Sequence, residues 1–115
     1  MLFRSYLKCS TCRKAEKWLK SKDFEFQLID IVKEPPLVSY LNLALKQYSD
    51  DKKRIFNTRG KAFKTLTLDI NGLSREEIIQ LLLSDGKLIK RPFLICEEKE
   101  VILGFNEIQY AKQLI

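Results

Sequence analysis

The 115-residue sequence predicts a single α/β domain, a small mixed sheet covered by helices. Three observations predict it. The chain opens with a strand–helix–strand pattern of the size of a βαβ unit, which closes right-handed. Its middle repeats apolar residues at helical spacing, and its end reads as a hairpin followed by a helix.

The elements follow in order. Leu2 to Leu7 reads as a short strand ending at Lys8. A helix is expected from Ser10 or Thr11 to about Lys22, with Ala15, Trp18 and Leu19 as its apolar stripe. Phe24 to Ile31 alternates imperfectly through Phe24, Phe26, Leu28 and Ile31 and reads as the second strand. Glu34-Pro35-Pro36 ends it, and Pro36 suits the first turn of a helix carrying Leu37, Tyr40, Leu41, Ala44, Leu45 and Tyr48. Asp50 to Arg54 is a charged connection with room for a short turn. Asn57 or Thr58 is expected to cap a short helix with Ala62, Phe63 and Leu66. Ser74 and Glu77 form a capping box for a helix with Ile78, Ile79, Leu81 and Leu82, ending at Asp85-Gly86. Phe93–Cys96 and Val101–Leu103 flank the polar turn 97–100 as a hairpin. Asn106 caps a last helix with Ile108, Ala111 and Ile115 on one face.

Composition removes several functions. With 45% hydrophobic and 31% charged residues, the chain can bury a core without disulfides and is not of a disordered type. The absence of histidine excludes Ser-His-Asp and Cys-His nucleophile activation and nearly every catalytic zinc arrangement. No apolar run is long enough to span a bilayer, and the apolar residues of Met1 to Leu7 are too few for a signal peptide. Three cysteines do not make a secreted disulfide scaffold, so a cytoplasmic protein is expected. The net charge of +6 is uneven. Arg4, Lys8, Arg13, Lys14, Lys17, Lys20 and Lys22 are opposed in the first 22 residues by Glu16 alone. These cations are either a solvated helix face or a positive field around residues 8 to 13 that favours anions and thiolates. Aromatics are not interleaved with them, so direct nucleic-acid binding is not expected.

Cys9-Ser10-Thr11-Cys12 is the most informative stretch. Lying between a strand and a helix, it puts Cys9 at a helix N-terminus, where free N–H groups and the helix dipole stabilise a thiolate. Arg13 and Lys14 add positive charge nearby. Cys12 falls in the first helical turn, within disulfide reach. Cys9 thus suits attack and Cys12 suits resolution. Zinc binding and inert burial are the rival explanations. Zinc asks for four ligands, and only Cys96 remains to join the pair. Cys96 itself, after Phe93-Leu94-Ile95, reads as a small buried hydrophobe.

Taken together, Lys8-Cys9-Ser10-Thr11-Cys12-Arg13-Lys14-Ala15, Trp18-Leu19, Phe56-Asn57-Thr58-Arg59-Gly60, the 84–92 run ending Lys90-Arg91-Pro92, and Gly104-Phe105 resemble the arsenate reductase (ArsC) and Spx family. The resemblance spans essentially the whole chain and is strongest to the YusI- and YffB-like branch. It implies a thioredoxin-like fold, a four-stranded sheet with a helical insertion between the βαβ and ββα halves. It implies that Cys9 is the nucleophile, that Arg91 helps hold an oxyanion, and that Pro92 is a cis-proline beside the catalytic cysteine. Arg13 and Arg59 are the further candidates for anion contact. The arginine that such reductases carry after the last strand is missing from Gly104-Phe105-Asn106-Glu107, so weak arsenate turnover is expected. The activity implied is that of a thiol–disulfide oxidoreductase acting on a small oxyanion or a disulfide. It would need no bound cofactor and an external reductant, glutathione with glutaredoxin, or thioredoxin. The alternative is an Spx-like redox-sensing regulator that binds RNA polymerase. Against it stand the run Asp85 to Ile89 and the lack of a tail after Ile115.

Overall fold

The computed structural model describes residues 1–6 and 8–115; the expected end of the first strand, Leu7, lies outside them. Four strands, β1 (Leu2–Ser5), β2 (Gln27–Asp30), β3 (Phe93–Cys96) and β4 (Glu100–Leu103), form one sheet in the order β2-β1-β3-β4. β1 and β2 are parallel, with Phe3 opposite Leu28. β3 runs antiparallel to both β1 and β4, with Leu94 between Phe3 and Ile102. The sheet is therefore mixed, with a parallel and an antiparallel half.

The period-2 alternation of the strands divides the core into two layers. Phe3, Leu94 and Ile102 face one side and are covered by Ala15, Trp18 and Leu19 of helix α1 (Ser10–Ser21) and by Tyr110 of the last helix. Phe93, Ile95, Val101 and Leu103 face the other side. They meet Leu41, Ala44 and Leu45 of α2 (Val38–Gln47) and Ile78 and Leu82 of α4 (Arg75–Ser84). Between α2 and α4 lie a 3₁₀ turn, Lys52–Ile55, and the one-turn helix α3 (Lys61–Lys64). The chain closes with α5 (Glu107–Leu114). Among the described residues no helix is long and apolar enough to cross a membrane.

Several local expectations shift. α2 begins after both prolines, because Leu37 is its extended N-cap (ψ 154°). α3 is capped by Gly60 rather than Asn57 or Thr58. Asn57 instead joins a neighbouring segment, its N–H donating to the Leu88 carbonyl at 2.8 Å. Phe24 and Phe26 precede β2 and pack as aromatic pairs, Phe24 with Trp18 and Phe26 with Phe3. Leu28, on an edge strand, is 53% exposed, and its neighbour Ile29 is buried instead. On α5 the expected face is wrong, since Ile108 and Ile115 are 80% and 78% exposed. Tyr110 anchors that helix, its ring edge-on to Trp18 and Phe105 and its hydroxyl donating to the Gly104 carbonyl at 3.0 Å. One large aromatic with a satisfied hydroxyl buries more surface than two isoleucines at a helix rim could.

Two close approaches fix the second half. Gly86 follows α4 where a Cβ would meet the Ile31 carbonyl oxygen at 2.5 Å, so only glycine lets this segment pack on the end of β2. Beyond it, Phe56 bridges Ile89, and the Lys90 N–H donates to the Ile55 carbonyl at 2.7 Å. These bonds set the path of the chain into Arg91-Pro92.

Candidate active site

α1 has no acidic residue in its first turn, and no Ser, Thr, Asp or Asn at its N-cap. The N-cap is Cys9, with extended backbone (φ −92°, ψ 114°), and its sulfur accepts the Cys12 N–H at 3.3 Å. A side-chain acceptor at an N-cap satisfies one of the orphan donors of the first turn. Here a cysteine sulfur fills that role, so the interaction that caps the helix is also one that favours the thiolate. The Cys9 N–H donates back to the Tyr6 carbonyl at 2.9 Å, which ties the loop to the end of β1.

The Arg91–Pro92 peptide bond is cis, just before β3. The Arg91 guanidinium lies over the Tyr6 ring, 4.7 Å from its centroid, and its Nη1 is buried with no hydrogen-bond partner among the described residues. Cys9 feels opposing influences. Partial burial disfavours its thiolate, but the hydrogen bonds with Cys12 and the nearby Arg91 charge outweigh burial and hold the thiol below its ordinary value. Cys12 is 2% exposed, and burial, followed by its interaction with Cys9, pushes it up to about 12. Two thiols of one turn are thus driven apart, one toward the thiolate and one toward the neutral form.

The other expected residues separate from this centre. Arg13 is exposed and lines a groove of about 210 Å³ with Cys12, Tyr6 and Leu28. Arg91, rather than Arg13 or Lys14, is the cation that acts on Cys9. Arg59 is exposed in the turn before α3 and makes no ion pair among the described residues. Cys96 is half-buried rather than buried. With Ile95 opposite Leu2, it sits where β1 begins, at the end of the sheet away from Cys9. Burial first, then Glu100, pushes its thiol up to about 11. Among the described residues no three His, Cys, Asp or Glu side chains come together to hold a metal. Sequence reasoning missed Tyr6. Its signal was an aromatic at the end of a strand, three residues before the first cysteine.

A parallel–antiparallel four-stranded sheet with a cysteine pair opening its first helix and a cis-proline before its third strand is a thioredoxin-like domain. The chain belongs to the ArsC family, whose model matches residues 5–113. It is 39% identical to YusI of Bacillus subtilis, over 97% of this chain and 96% of that one. It is 35% identical to the global transcriptional regulator Spx of Lactiplantibacillus plantarum, over 92% of this chain and 80% of Spx. Among solved structures, "a possible arsenate reductase" of Streptococcus mutans is 40% identical and superposes with a TM-score of 0.84, covering 91% of this chain and 90% of the other.

Proposed function

We propose that the protein is a cytoplasmic thiol–disulfide oxidoreductase in which Cys9 is the nucleophile and Cys12 the resolving thiol. The observation that carries this is the opposed state of the pair: a lowered, half-exposed thiol capping α1, bonded to a buried, neutral one three residues on. The Cys9 thiolate attacks one sulfur of a substrate disulfide. A mixed disulfide forms, and the other half leaves as a thiolate that takes up a proton. Ionised Cys9 is one of the groups that hold Cys12 neutral, so capture of Cys9 removes part of the cause of the high Cys12 value. Cys12 then gives up its proton and attacks the Cys9 sulfur, expelling the second half of the substrate. The substrate has gained two electrons, and the pair is left as the Cys9–Cys12 disulfide. Glutathione with glutaredoxin, or thioredoxin, returns those electrons. With a small oxyanion as substrate, Arg91 and its unpartnered Nη1 are the donors for the negative charge. Arg13, which lines the groove beside Cys12, is a second candidate anion contact, and Arg59, exposed in the turn before α3, a third.

The test is turnover of hydroxyethyl disulfide by the reduced protein under each reducing system. The expected result is turnover by the unmodified protein, none by Cys9→Ser, and a trapped mixed disulfide on Cys9 in Cys12→Ser. No turnover under either system would refute the reading. The similarity to Spx favours a second reading, a redox-sensing regulator that binds RNA polymerase. RNA polymerase retained by only one redox state of the immobilised protein, with no disulfide turnover, would select it.

A further inference from the structure

Away from the cysteine pair, the 3₁₀ turn Lys52–Ile55, the Phe56–Thr58 segment and Lys90 enclose a cleft of about 380 Å³. That is within the range of small-molecule sites, about 300–1,000 Å³. Neither Cys9 nor Cys12 lines it. Lys53, Arg54 and Lys90 line it together with Thr58 and one carboxylate, Asp51. Among the described residues the ion pairs are Arg4 with Glu34 and Lys20 with Glu16, so none of the three cations is neutralised.

Lys53 and Arg54 are exposed, but Arg54 and Lys90 are each restricted by a neighbour. The Arg54 guanidinium lies over the Tyr48 ring, 4.7 Å from its centroid. The Lys90 stem runs so close to Gly104 that a Cβ there would be 3.2 Å from its Cε. The Lys90 backbone is bonded to Ile55, the last residue of the turn that carries Lys53 and Arg54. Pre-positioned donors lose less freedom when a ligand arrives.

We propose that this cleft binds a small phosphorylated metabolite. Three cations against one carboxylate leave an excess of two positive charges, which suits a dianion. An arginine fork joined by lysine point charges fits the oxygens of a phosphoryl group. Phe56 and Leu103, 1% and 7% exposed, floor the cleft and offer little apolar surface, so the phosphoryl group carries the recognition. A nucleic-acid strand fits less well, because Phe56 is 1% exposed and offers no face for base stacking.

The site does not depend on Cys9, so the Cys9→Ser protein serves for the test. Inorganic pyrophosphate and ribose 5-phosphate are the probes, with ribose as the uncharged control, followed by calorimetry and by amide resonances. Saturable one-to-one binding in the millimolar range or tighter is expected, with shifts at Phe56, Thr58 and Lys90 and none at residues 9–12. Lys90→Met and Lys53→Met should each weaken it about tenfold, the loss of one charge-assisted contact. Lys112→Met removes the same charge from α5 and should not. Four results would overturn the proposal: no saturable binding of either probe, equal weakening by Lys112→Met, shifts centred on residues 9–12, or tighter binding of a single-stranded oligonucleotide through the same residues.

Discussion

Replacing Arg91 with methionine keeps most of the side-chain volume over Tyr6 and removes the charge beside Cys9. A hydrogen bond or close contact to a charged group is worth about 1.5–3 kcal/mol when well shielded. Cys9 is only half-buried, so solvent screening reduces this to about 1–1.5 kcal/mol. At 1.36 kcal/mol per unit, the Cys9 pKa should rise by about one unit. Below that pKa the thiolate fraction falls about tenfold. The more basic thiolate is a better nucleophile by about threefold, for a Brønsted slope of 0.4–0.5. Alkylation by iodoacetamide should therefore slow about threefold at mildly acid pH and quicken about threefold in strong base, so the two rate profiles cross. The measurement is best made in a Cys12→Ser background. Cys96, with its thiol near 11, contributes little at acid and neutral pH but would react in strong base, so it is replaced by alanine as well. A profile lowered uniformly with an unmoved midpoint would refute the electrostatic role of Arg91 and leave it a packing role only.

Arsenate turnover should be about one to two powers of ten slower than that of an authentic arsenate reductase assayed beside it, for the one charge-assisted contact missing at residues 104–107; equal rates would show that another cation has taken its place. Gly104→Ala should destabilise by about 1–2 kcal/mol, because φ is +73° and side chains avoid the left-handed region; a lower urea midpoint with an unchanged slope is the readout. Glu77→Gln should flatten the acid limb of the stability profile. Hydrogen bonds with Ser74 hold the Glu77 carboxyl below its ordinary range, so their contribution is present above the unfolded carboxyl's pKa and lost as pH falls through the folded one. Thermal melts across the acid range, with and without the substitution, show whether the two curves converge there.

The sequence by itself determined the features that rest on local rules. Ser74 and Glu77 form both halves of their capping box, as the three-residue spacing requires. Ala15, Trp18 and Leu19 bury together on α1, and a polar turn does join two antiparallel strands, although it spans 97–99 because Glu100 already pairs with Cys96 in β4. The position of Cys9 at a helix start was also legible, since a strand ending before a C-x-x-C leaves the helix few other places to begin. Tertiary structure decided what depends on partners distant in the chain. Arg13 and Lys14 are the cations nearest in sequence to Cys9, yet Arg91, about eighty residues on, is the one that acts on it, because β3 lies beside β1 in the sheet. Tyr110 rather than Ile108 and Ile115 anchors α5, because Trp18 and Phe105 present their rings where only a tyrosine can meet them and still reach the Gly104 carbonyl. Helical periodicity marks which residues share a face, but burial depends on what other elements bring to that face. The same limit hid the shared cleft of Lys53, Arg54 and Lys90, which are brought together by the bridge between Phe56 and Ile89 and the backbone bond from Lys90 to Ile55.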